Sequence, residues 1–318
     1  MSFNQYTWDL YKQTTIGIEM IKYFSDAGGY VLFKDYCPYA NFIPEDLYND
    51  WLENIYCYGV SDYDHPSSLE EAKDLYISLI TLGIRVEGQQ WLPANDFKNM
   101  LGIIQPMSYV LSQFAPEYFF PYLFLCRIFE LNKIADFFNI DLPNIPKRTD
   151  YKGRCMYYWE LCEVFYLFRK ENGLSPADLW SFLYDFAPNN LPSEKIDMPK
   201  PSQVWFIGGR LYQEDKSLES KFWQSSPETK KGDILVHYET SPISAITCIE
   251  ISLTDGVIDP LFRYYGCIYI GNRINIPHIT LKELQTDEYF FKHPLVRKNF
   301  QGVNGWSVNS ENYSELLR

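Results

Sequence analysis

Apolar side chains recur at the spacing of amphipathic helices through the first 187 residues. In residues 15–25 they fall largely on one face, and Gly28 follows as a stop signal. Ser68 and the pair Ser175-Pro176 are typical of helix starts. This pattern predicts helices over residues 15–25, 45–56, 68–80, 96–105, 107–113, 122–138, 155–172 and 175–184.

The hydrophobic period changes after residue 203. Short apolar runs are separated there by Gly, Asp and Asn, an arrangement typical of strands. Strands are predicted at residues 204–207, 234–238, 244–253 and 267–270, the last one ending at Gly271-Asn272. Thr280 begins a short capped helix, and residues 309–317 are predicted to form another.

A proline-rich stretch separates the two patterns. Residues 188–202 contain four prolines and cannot continue a helix or a central strand. The predicted fold class is α+β, with a mainly α-helical N-terminal domain (1–187), a linker (188–202) and a small mixed β-barrel (203–318). Residues 15–90 could form a winged-helix-like unit inside the first domain.

Composition and charge narrow the classes of protein to which the chain can belong. Of its 318 residues, 46% are hydrophobic and 18% aromatic, enough for large cores and for ring-lined pockets. The net charge of −13 is uneven, with −11 in residues 1–200, so the first part should repel phosphate backbones. No apolar run is long enough to span a membrane and the first residues do not resemble a signal peptide, so we expect a cytoplasmic protein.

The sequence contains no familiar catalytic or metal-binding pattern. The seven cysteines include no CxxC pair, which favours free thiols over a disulfide framework or a zinc ribbon. No phosphate-binding loop, nucleophile elbow or zinc-protease motif occurs. Glu250, Asp255 and Asp259 fall in one stretch but lack the lysine spacing of a metal-dependent nuclease, so solvated turns explain them better. We therefore expect a protein that is not an enzyme and that uses no cofactor or metal.

Several short motifs follow one another in a recognisable order after residue 203. They are Val204-Trp205-Phe206-Ile207, then Phe222-Trp223-Gln224-Ser225, then Lys231-Gly232-Asp233, and then Ile276-Pro277-His278-Ile279-Thr280-Leu281-Lys282-Glu283-Leu284. This order resembles that of the PUA-like superfamily, specifically its EVE and YTH branch, over residues 203–318. The resemblance implies recognition and not catalysis, because such domains accept a flipped, modified base between aromatic walls. YTH domains bind N6-methyladenine in RNA, and EVE-like domains are associated with modified DNA bases and prokaryotic defence.

The resemblance also implies a base pocket with an indole wall, two glycines at the base edge, polar residues after the indole and a second aromatic wall. In that order, the matching residues are Trp223; Gly208 and Gly209; Gln224 and Ser225; and Phe262, Tyr264 or Tyr265. At the second wall the family often has Trp, which this chain lacks.

Some of these residues also have purely structural explanations. Trp205 lies in the middle of a strand and is expected in the core, whereas Trp223 is either a core plug or a pocket wall. The two glycines are also compatible with a plain turn, and Asp233 with a turn cap beside Gly232. Because neighbours in a strand point to opposite faces, at most one of Tyr264 and Tyr265 can face a pocket.

Polar and basic residues near the end of the chain are the candidates for contact with a nucleic-acid backbone. They offer cations for phosphates and amides for bases, with Phe300 beside them for stacking: Lys292, Arg297, Lys298, Asn299 and Gln301. A solvated loop is the alternative explanation. A second basic spot, at residues 147–154, is better explained by ion pairs with neighbouring acidic residues.

The favoured hypothesis is a non-catalytic reader of a modified, methylated base in DNA or RNA, with a role in prokaryotic defence or restriction. The acidic helical domain would bind a protein partner or self-associate, and no membrane partner is expected. Two alternatives stay open. One is a protein-interaction scaffold whose barrel has lost its ligand, and the other is an RNA-binding factor that acts on tRNA or ribosomal RNA.

Overall fold

The computed structural model of the protein describes residues 3–37, 40, 43–86, 89–92, 94–192, 198–209 and 221–308. The protein has an α+β fold, and its chain divides into two compact units. The helical unit comprises Met1–Ser193 with Pro260–Arg263, and the strand unit comprises Glu194–Asp259 with Tyr264–Arg318. The sequence pattern does not separate Pro260–Arg263 from the strands around it. The helix predicted at residues 309–317 lies outside the described residues.

The helical unit consists of helices and one short hairpin. Its helices are α1 (Gln5–Lys12), α2 (Thr15–Asp26), α3 (Gly29–Tyr36), α4 (Glu45–Ile55), α5 (Leu69–Leu82), α6 (Phe97–Met100), α7 (Ile104–Phe114), α8 (Ile128–Phe138), α9 (Tyr151–Glu171), α10 (Pro176–Ser181) and α11 (Ala187–Asn190). Turns of π-helix at Tyr56–Val60 and Phe182–Phe186 continue α4 and α10. Strands β1 (Ile84–Val86) and β2 (Gln89–Leu92) pair antiparallel. The winged-helix-like arrangement of residues 15–90 stays a prediction.

Side-chain caps explain where several of these helices begin. Ser68 accepts a hydrogen bond from the backbone N–H of Glu71 at 3.2 Å, so α5 starts where the sequence predicts. Ser175 and Asp178 form a reciprocal capping box at the start of α10. Pro188 lies in the first turn of α11, which follows directly on the π-helical turn at Phe182–Phe186. The predicted linker therefore begins too early, because its first residues are helical.

The long helix predicted at residues 122–138 is wrong, because α8 begins only at Ile128. The chain before it is buried but not helical, and side chains from other elements satisfy its backbone. Ser108 Oγ accepts from the N–H of Tyr122 at 2.8 Å, and the Tyr184 hydroxyl donates to the carbonyl of Pro121. Apolar composition alone does not distinguish such a segment from a buried helix. The helix predicted at residues 96–105 is likewise broken, into α6 and the start of α7.

The core of the helical unit is built largely from aromatic rings. Trp8 and Trp159 have no exposed surface. Phe33 and Tyr48 stack with ring centroids 3.8 Å apart. None of the helices in the described ranges combines the length and the apolar character that crossing a lipid bilayer requires.

The strand unit is a curled mixed sheet that forms a half-barrel. Its strands are β3 (Val204–Gly209), β4 (Lys221–Gln224), β5 (Ile234–Glu239), β6 (Ala245–Ser252), β7 (Val257–Ile258), β8 (Gly266–Thr280) and β9 (Trp306–Val308). Their order is β4-β8-β6-β5-β3-β9, with β7 paired to β8. Strands β3 and β5 run parallel, and the other pairs are antiparallel. The short helices α12 (Leu281–Thr286) and α13 (Pro294–Arg297) follow β8, with a 3-10 turn at Phe290–Lys292 between them.

The strand predicted to end at residue 270 is much longer. Strand β8 runs through Gly271 and Asn272 to Thr280, and its register against β6 shifts along the way. Asn272 has a φ of +53°, a value that asparagine tolerates better than most residues. The Gly-Asn pair therefore marks an irregularity inside a strand and not its end. Thr280 forms a capping box with Glu283 at the start of α12, as predicted.

Side chains alternate along each strand, so the sheet has two different faces. On the apolar face, Phe206 and Tyr238 are covered by residues of α12 and α13, among them Leu284 and Leu295. The tryptophan face buries a smaller apolar group, against which Trp223 packs: Trp205, Ile207, Leu235, Ile268 and Ile270.

Asp233 joins the start of β5 to β3. Its carboxylate accepts hydrogen bonds from the N–H groups of Ser202, Gln203 and Lys230 and from the Ser202 hydroxyl. The indole N–H of Trp205 also donates to it, at 2.9 Å. Burial alone would raise the pKa of Asp233, but these donors outweigh burial and lower it. Asp233 thus closes the predicted turn and also anchors Trp205, which is buried as expected.

Candidate functional site

Trp223 lies on β4, at one end of the strand order. The strand pairs antiparallel with β8, which places Trp223 opposite Ile268. The indole packs against the buried residues of the tryptophan face, and the side chain as a whole stays half-buried. Its packing is that expected of a core plug, and its role as a pocket wall stays a prediction.

Gly208 and Gly209 are required by packing, and both lie within β3 and not in a plain turn. A Cβ on Gly209 would lie 2.8 Å from Cζ2 of Trp223, so the indole occupies the space that a side chain would take. A Cβ on Gly208 would clash with Val303, a residue of the apolar face. The N–H of Gly208 donates to Asn304 Oδ1 at 2.8 Å. The missing side chain of Gly209 therefore leaves space for the Trp223 indole. The missing side chain of Gly208 lets β3 pack against Val303 on the apolar face.

Three ionisable side chains are buried together next to this tryptophan. His237 on β5 and Glu250 on β6 are 0% and 2% exposed, and His237 Nδ1 lies 3.2 Å from Glu250 Oε2. Arg273 on β8 donates through Nε to Glu250 Oε1 at 2.8 Å. Burial alone would raise the pKa of Glu250, but His237 and Arg273 outweigh burial and lower it. Glu250 is thus a buried carboxylate that bridges two basic groups.

This network corrects the interpretation of the acidic stretch as solvated turns. That description fits Asp255, which is exposed and pairs with Lys230 at 3.3 Å. Glu250 lies inside β6, and Asp259 has no exposed surface. One feature of the sequence could have indicated this burial: Glu250 lies between Ile249 and Ile251 in an apolar run. Charged residues are almost never buried unless they are paired, so its position indicates a partner.

His237 also contacts Trp223 directly. The two ring centroids lie 4.9 Å apart in an edge-to-face arrangement. His237 Nε2 is buried and has no hydrogen-bond partner among the described residues. In the tautomer that places a proton on Nδ1, Glu250 accepts from it, and a neutral ring then presents a lone pair on Nε2. An unsatisfied buried polar atom costs about 1–3 kcal/mol, so this atom requires an explanation.

His237, Cys248 and Glu250 together have a donor set that a metal ion could use. Their ligand atoms lie within 4.8 Å of one another, and imidazole, thiolate and carboxylate are all zinc ligands. Burial raises the pKa of the Cys248 thiol to about 11, so in the absence of a metal ion the thiol is protonated at neutral pH. The Arg273 guanidinium on Glu250 also disfavours a second cation. The residues fit a hydrogen-bonded network better than a metal site.

Gln224 and Ser225, which follow the indole, both have partners within the strand unit. Gln224 Oε1 accepts from Asn304 Nδ2 at 3.1 Å, and Asn304 in turn accepts from Gly208. The Ser225 hydroxyl is buried 2.9 Å from that of Thr229. Gln224 therefore belongs to a polar link between β4 and β3, whereas Ser225 stabilises the turn after β4.

The three candidates for a second aromatic wall lie in the turn between β7 and β8. Phe262 belongs to the helical unit, and Tyr264 is 47% exposed. Tyr265 has a φ of +79°, so the expectation that Tyr264 and Tyr265 alternate along a strand is wrong. The ring that the structure shows beside Trp223 is the imidazole of His237.

The residues predicted to contact a nucleic-acid backbone lie on the surface around α13. Lys292, Arg297, Lys298, Asn299 and Gln301 are all exposed. Lys292 Nζ lies 5.2 Å from the ring centroid of Phe291, and Lys298 Nζ lies 5.5 Å from that of Trp306. Both rings are themselves exposed. The basic-aromatic surface, defined by Lys292, Arg297, Lys298, Phe291 and Trp306, falls in a stretch without acidic residues, 289–306.

Phe300 does not belong to this surface. It is 2% exposed and stacks on Tyr238 with ring centroids 4.0 Å apart, in the core of the apolar face. The expectation that Phe300 stacks on a base is therefore wrong. Trp306, which the sequence interpretation did not include, is exposed and lies beside Lys298.

Comparison with known proteins does not assign a family. No family model matches the chain, and no curated protein matches it. Among solved structures, the chain is similar to the NMR structure of Rpa0253 from Rhodopseudomonas palustris, with 14% sequence identity and a TM-score of 0.31. The match covers 36% of this chain and 89% of that chain. The resemblance to the PUA-like superfamily accordingly rests on the residues of this sequence.

Proposed function

We propose that the strand unit is a PUA-like domain of EVE or YTH type that reads a modified base in nucleic acid without catalysing a reaction. The observation that carries the proposal is a half-buried indole, Trp223, against a buried imidazole, His237, whose Nε2 has no partner among the described residues. An aromatic face and an unsatisfied hydrogen-bonding atom are the two elements that recognise a flat heterocycle. The indole stacks on the ring, and Nε2 contacts its edge.

Glu250 and Arg273 determine what His237 can recognise. The proposal takes His237 as neutral with its proton on Nδ1, directed at Glu250, so that Nε2 accepts a hydrogen bond and matches an N–H on the base edge. Exocyclic amino groups of adenine and cytosine provide such an N–H. A singly methylated amino group keeps one N–H and adds a methyl group that can pack against Trp223. The proposed ligand is therefore a base with a singly methylated exocyclic amine.

Entry of the base requires Trp223 to move. His237 has no exposed surface and its ring lies edge-to-face with the indole, so the proposal includes rotation of the indole away from the imidazole to admit the base. The base must also leave its own stack, at a cost of a few kcal/mol that single-stranded or distorted substrates reduce. We therefore expect single-stranded oligonucleotides to bind more tightly than duplexes, with a change in tryptophan fluorescence.

The basic-aromatic surface supplies the contacts that position the strand. Its cations can neutralise phosphates, and Phe291 and Trp306 offer faces for neighbouring bases. Such contacts carry no information about the modification, so they should contribute equally to modified and plain strands. Affinity and discrimination thus depend on different residues.

The test compares binding of single-stranded DNA and RNA oligonucleotides with and without one N6-methyladenine, by fluorescence anisotropy with the full chain. We expect wild type to bind the methylated strand at least tenfold more tightly. The variant Trp223→Ala should bind both strands equally, because stacking and methyl burial are lost together.

Trp306→Ala is the matched control, since it removes an indole from the surface and not from the candidate pocket. It should weaken binding of both strands by the same factor and preserve their ratio. Unchanged discrimination in Trp223→Ala, with a thermal unfolding midpoint like that of wild type, contradicts the proposal. Two other results also do so: no stabilisation by any oligonucleotide, as for a scaffold, and methylation-blind binding of structured RNA, as for an RNA-binding factor.

A further inference from the structure

A cavity of about 250 Å³ lies within the helical unit. Its walls come from α6 and the start of α7, from the buried segment before α8 and from Leu261–Arg263, all of which belong to this unit. The cavity is smaller than the roughly 300–1,000 Å³ of sites for drug-sized ligands. Its occupant would accordingly be a small molecule.

The cavity combines an apolar lining with a cationic rim. Leu125 and Phe262 contribute apolar surface, and its charged lining residues are Lys98 and Arg263. Both cations are exposed, and neither forms an ion pair with another described residue. No acidic residue is among those that line the cavity, although residues 1–200 carry a net charge of −11. The local charge is therefore opposite to that of the surrounding chain, which favours an anion.

The wall that carries Phe262 and Arg263 is fixed in place. The buried guanidinium of Arg154 donates to the carbonyls of Pro260 at 2.8 Å and Phe262 at 2.7 Å. A third bond, at 3.0 Å, goes to the carbonyl of Arg148. Because one side chain holds three backbone groups, this wall resists collapse into the cavity, and preformed pockets are typical of ligand sites.

The start of α7 adds to the positive potential. Ile104 and Gln105 line the cavity at the first turn of this 11-residue helix. The preceding residue, Ile103, has no side-chain oxygen that could cap the helix. The partial positive charge of a helix N-terminus favours anions nearby. It supplements Lys98 and Arg263.

We infer that this cavity binds a small organic acid, with an apolar body in the interior and one carboxylate or sulfonate between Lys98 and Arg263. The inference goes beyond base reading and does not depend on it. It assigns a small-molecule ligand to the helical unit.

The test uses naphthalene-1-sulfonate as the probe, because its aromatic body and single sulfonate match the proposed class and its size suits a cavity of about 250 Å³; binding is measured by isothermal titration calorimetry. The full chain should bind one probe per molecule. The double variant Lys98→Glu/Arg263→Glu should bind at least tenfold more weakly, and both substitutions are at exposed positions that should not disturb folding. Leu125→Trp should abolish binding by filling the cavity.

Lys22→Glu is the matched control, since it reverses an exposed charge of the same unit on α2, away from the cavity. It should bind the probe like wild type, and so should Trp223→Ala. Wild-type binding by the double variant overturns the inference, as does loss of binding in Trp223→Ala with binding retained in Leu125→Trp. Unfolding midpoints of all variants separate loss of the site from loss of the fold. Oligonucleotide binding by the charge variants tests base reading separately.

Discussion

The two faces of the sheet come from the same strands but bury different kinds of side chain. The apolar face buries aromatic and aliphatic groups, and α12 and α13 contribute residues that cover it. The tryptophan face buries a small apolar group beside His237, Glu250 and Arg273. Apolar groups gain from burial by themselves, whereas buried charges are tolerated only with partners.

This difference indicates that stability alone did not determine the tryptophan face. Replacement of a buried ion-pair network by apolar side chains of similar volume is often neutral or stabilising by about 1–4 kcal/mol. The unsatisfied Nε2 of His237 adds a further cost. A face that keeps polar atoms at the expense of stability is expected where those atoms bind something, and this is the role proposed for His237.

The largest predicted effect follows from removing the central charge of the network. Glu250→Ala leaves His237 and Arg273 buried without their shared carboxylate. Breaking a buried pair in this way costs about 3–5 kcal/mol. Urea denaturation at pH 7 should show a loss of this size in the free energy of unfolding.

Two further variants are compared with Glu250→Ala, one that removes an exposed carboxylate and one that removes the whole buried network. Asp255→Ala removes a carboxylate that is exposed and ion-paired, and exposed pairs contribute only about 0–1 kcal/mol. The triple variant His237→Phe/Glu250→Leu/Arg273→Met removes all three polar groups and should be more stable than Glu250→Ala. A loss below about 1 kcal/mol in Glu250→Ala would mean that the network is not the constraint that distinguishes the two faces.

The second prediction concerns acid. The pKa values of Asp233 and Glu250 are both lowered in the folded protein, so their ionised forms stabilise it above the ordinary values of about 3.9 and 4.3. This stabilisation is lost as the pH falls through the lowered values. The free energy of unfolding should therefore decrease below about pH 4. The effect should be smaller than that of Glu250→Ala, because a protonated carboxyl group still fills its space.

Asp233→Asn and Glu250→Gln provide the controls for the acid effect. Each removes one titrating group and should flatten the decrease between pH 5 and pH 3. A decrease as steep as that of wild type in both variants would contradict the assignment of the acid sensitivity to the buried carboxylates.

The apolar face could be predicted from the sequence better than the tryptophan face. Its strands are local apolar runs, and the capping box at Thr280 marks α12, so neighbouring residues carry the signal. The network of the tryptophan face joins His237 to Glu250, 13 residues away, and Glu250 to Arg273, 23 residues away. These contacts depend on strand registers that shift at irregularities, and such shifts are not visible in residue type.

The same distinction explains the errors in the helical unit. The segment at residues 122–127 is as apolar as a buried helix, but its backbone bonds to Ser108 and Tyr184, which are distant in sequence. Tertiary contacts override the local pattern there. In the candidate site, Trp223 could be found from motif order, whereas its partner His237 could be recognised only as a lone polar residue in an apolar strand.

The adjacent glycines allow a third comparison of the faces. Gly208→Ala would place a methyl group against Val303 and the carbonyl of Tyr238, in a closed core. Overpacking of this kind costs about 1–3 kcal/mol. Gly209→Ala presses on the Trp223 indole, which is half-buried and can shift outward. Urea denaturation should therefore show a smaller loss for Gly209→Ala than for Gly208→Ala.

Binding should give the opposite ranking of the two glycine variants. Gly209→Ala displaces the indole and should reduce discrimination between methylated and plain oligonucleotides. Gly208→Ala should retain it at a temperature where the variant is folded. If both variants discriminate equally between methylated and plain oligonucleotides, the contact between Gly209 and the Trp223 indole is unimportant for recognition.

The smallest predicted effect on stability lies at the basic-aromatic surface. Lys298→Ala removes an exposed cation–π contact with Trp306, and such contacts contribute about 0.5–1 kcal/mol. Its effect on binding should be clearer, because each phosphate contact to a single strand contributes about −0.7 to the slope of log affinity against log salt concentration. Anisotropy titrations from 50 to 300 mM salt should show a slope that is less negative by about this amount. Lys22→Ala, on the helical unit, should leave the slope unchanged, and an unchanged slope in Lys298→Ala would show that Lys298 does not contact the backbone.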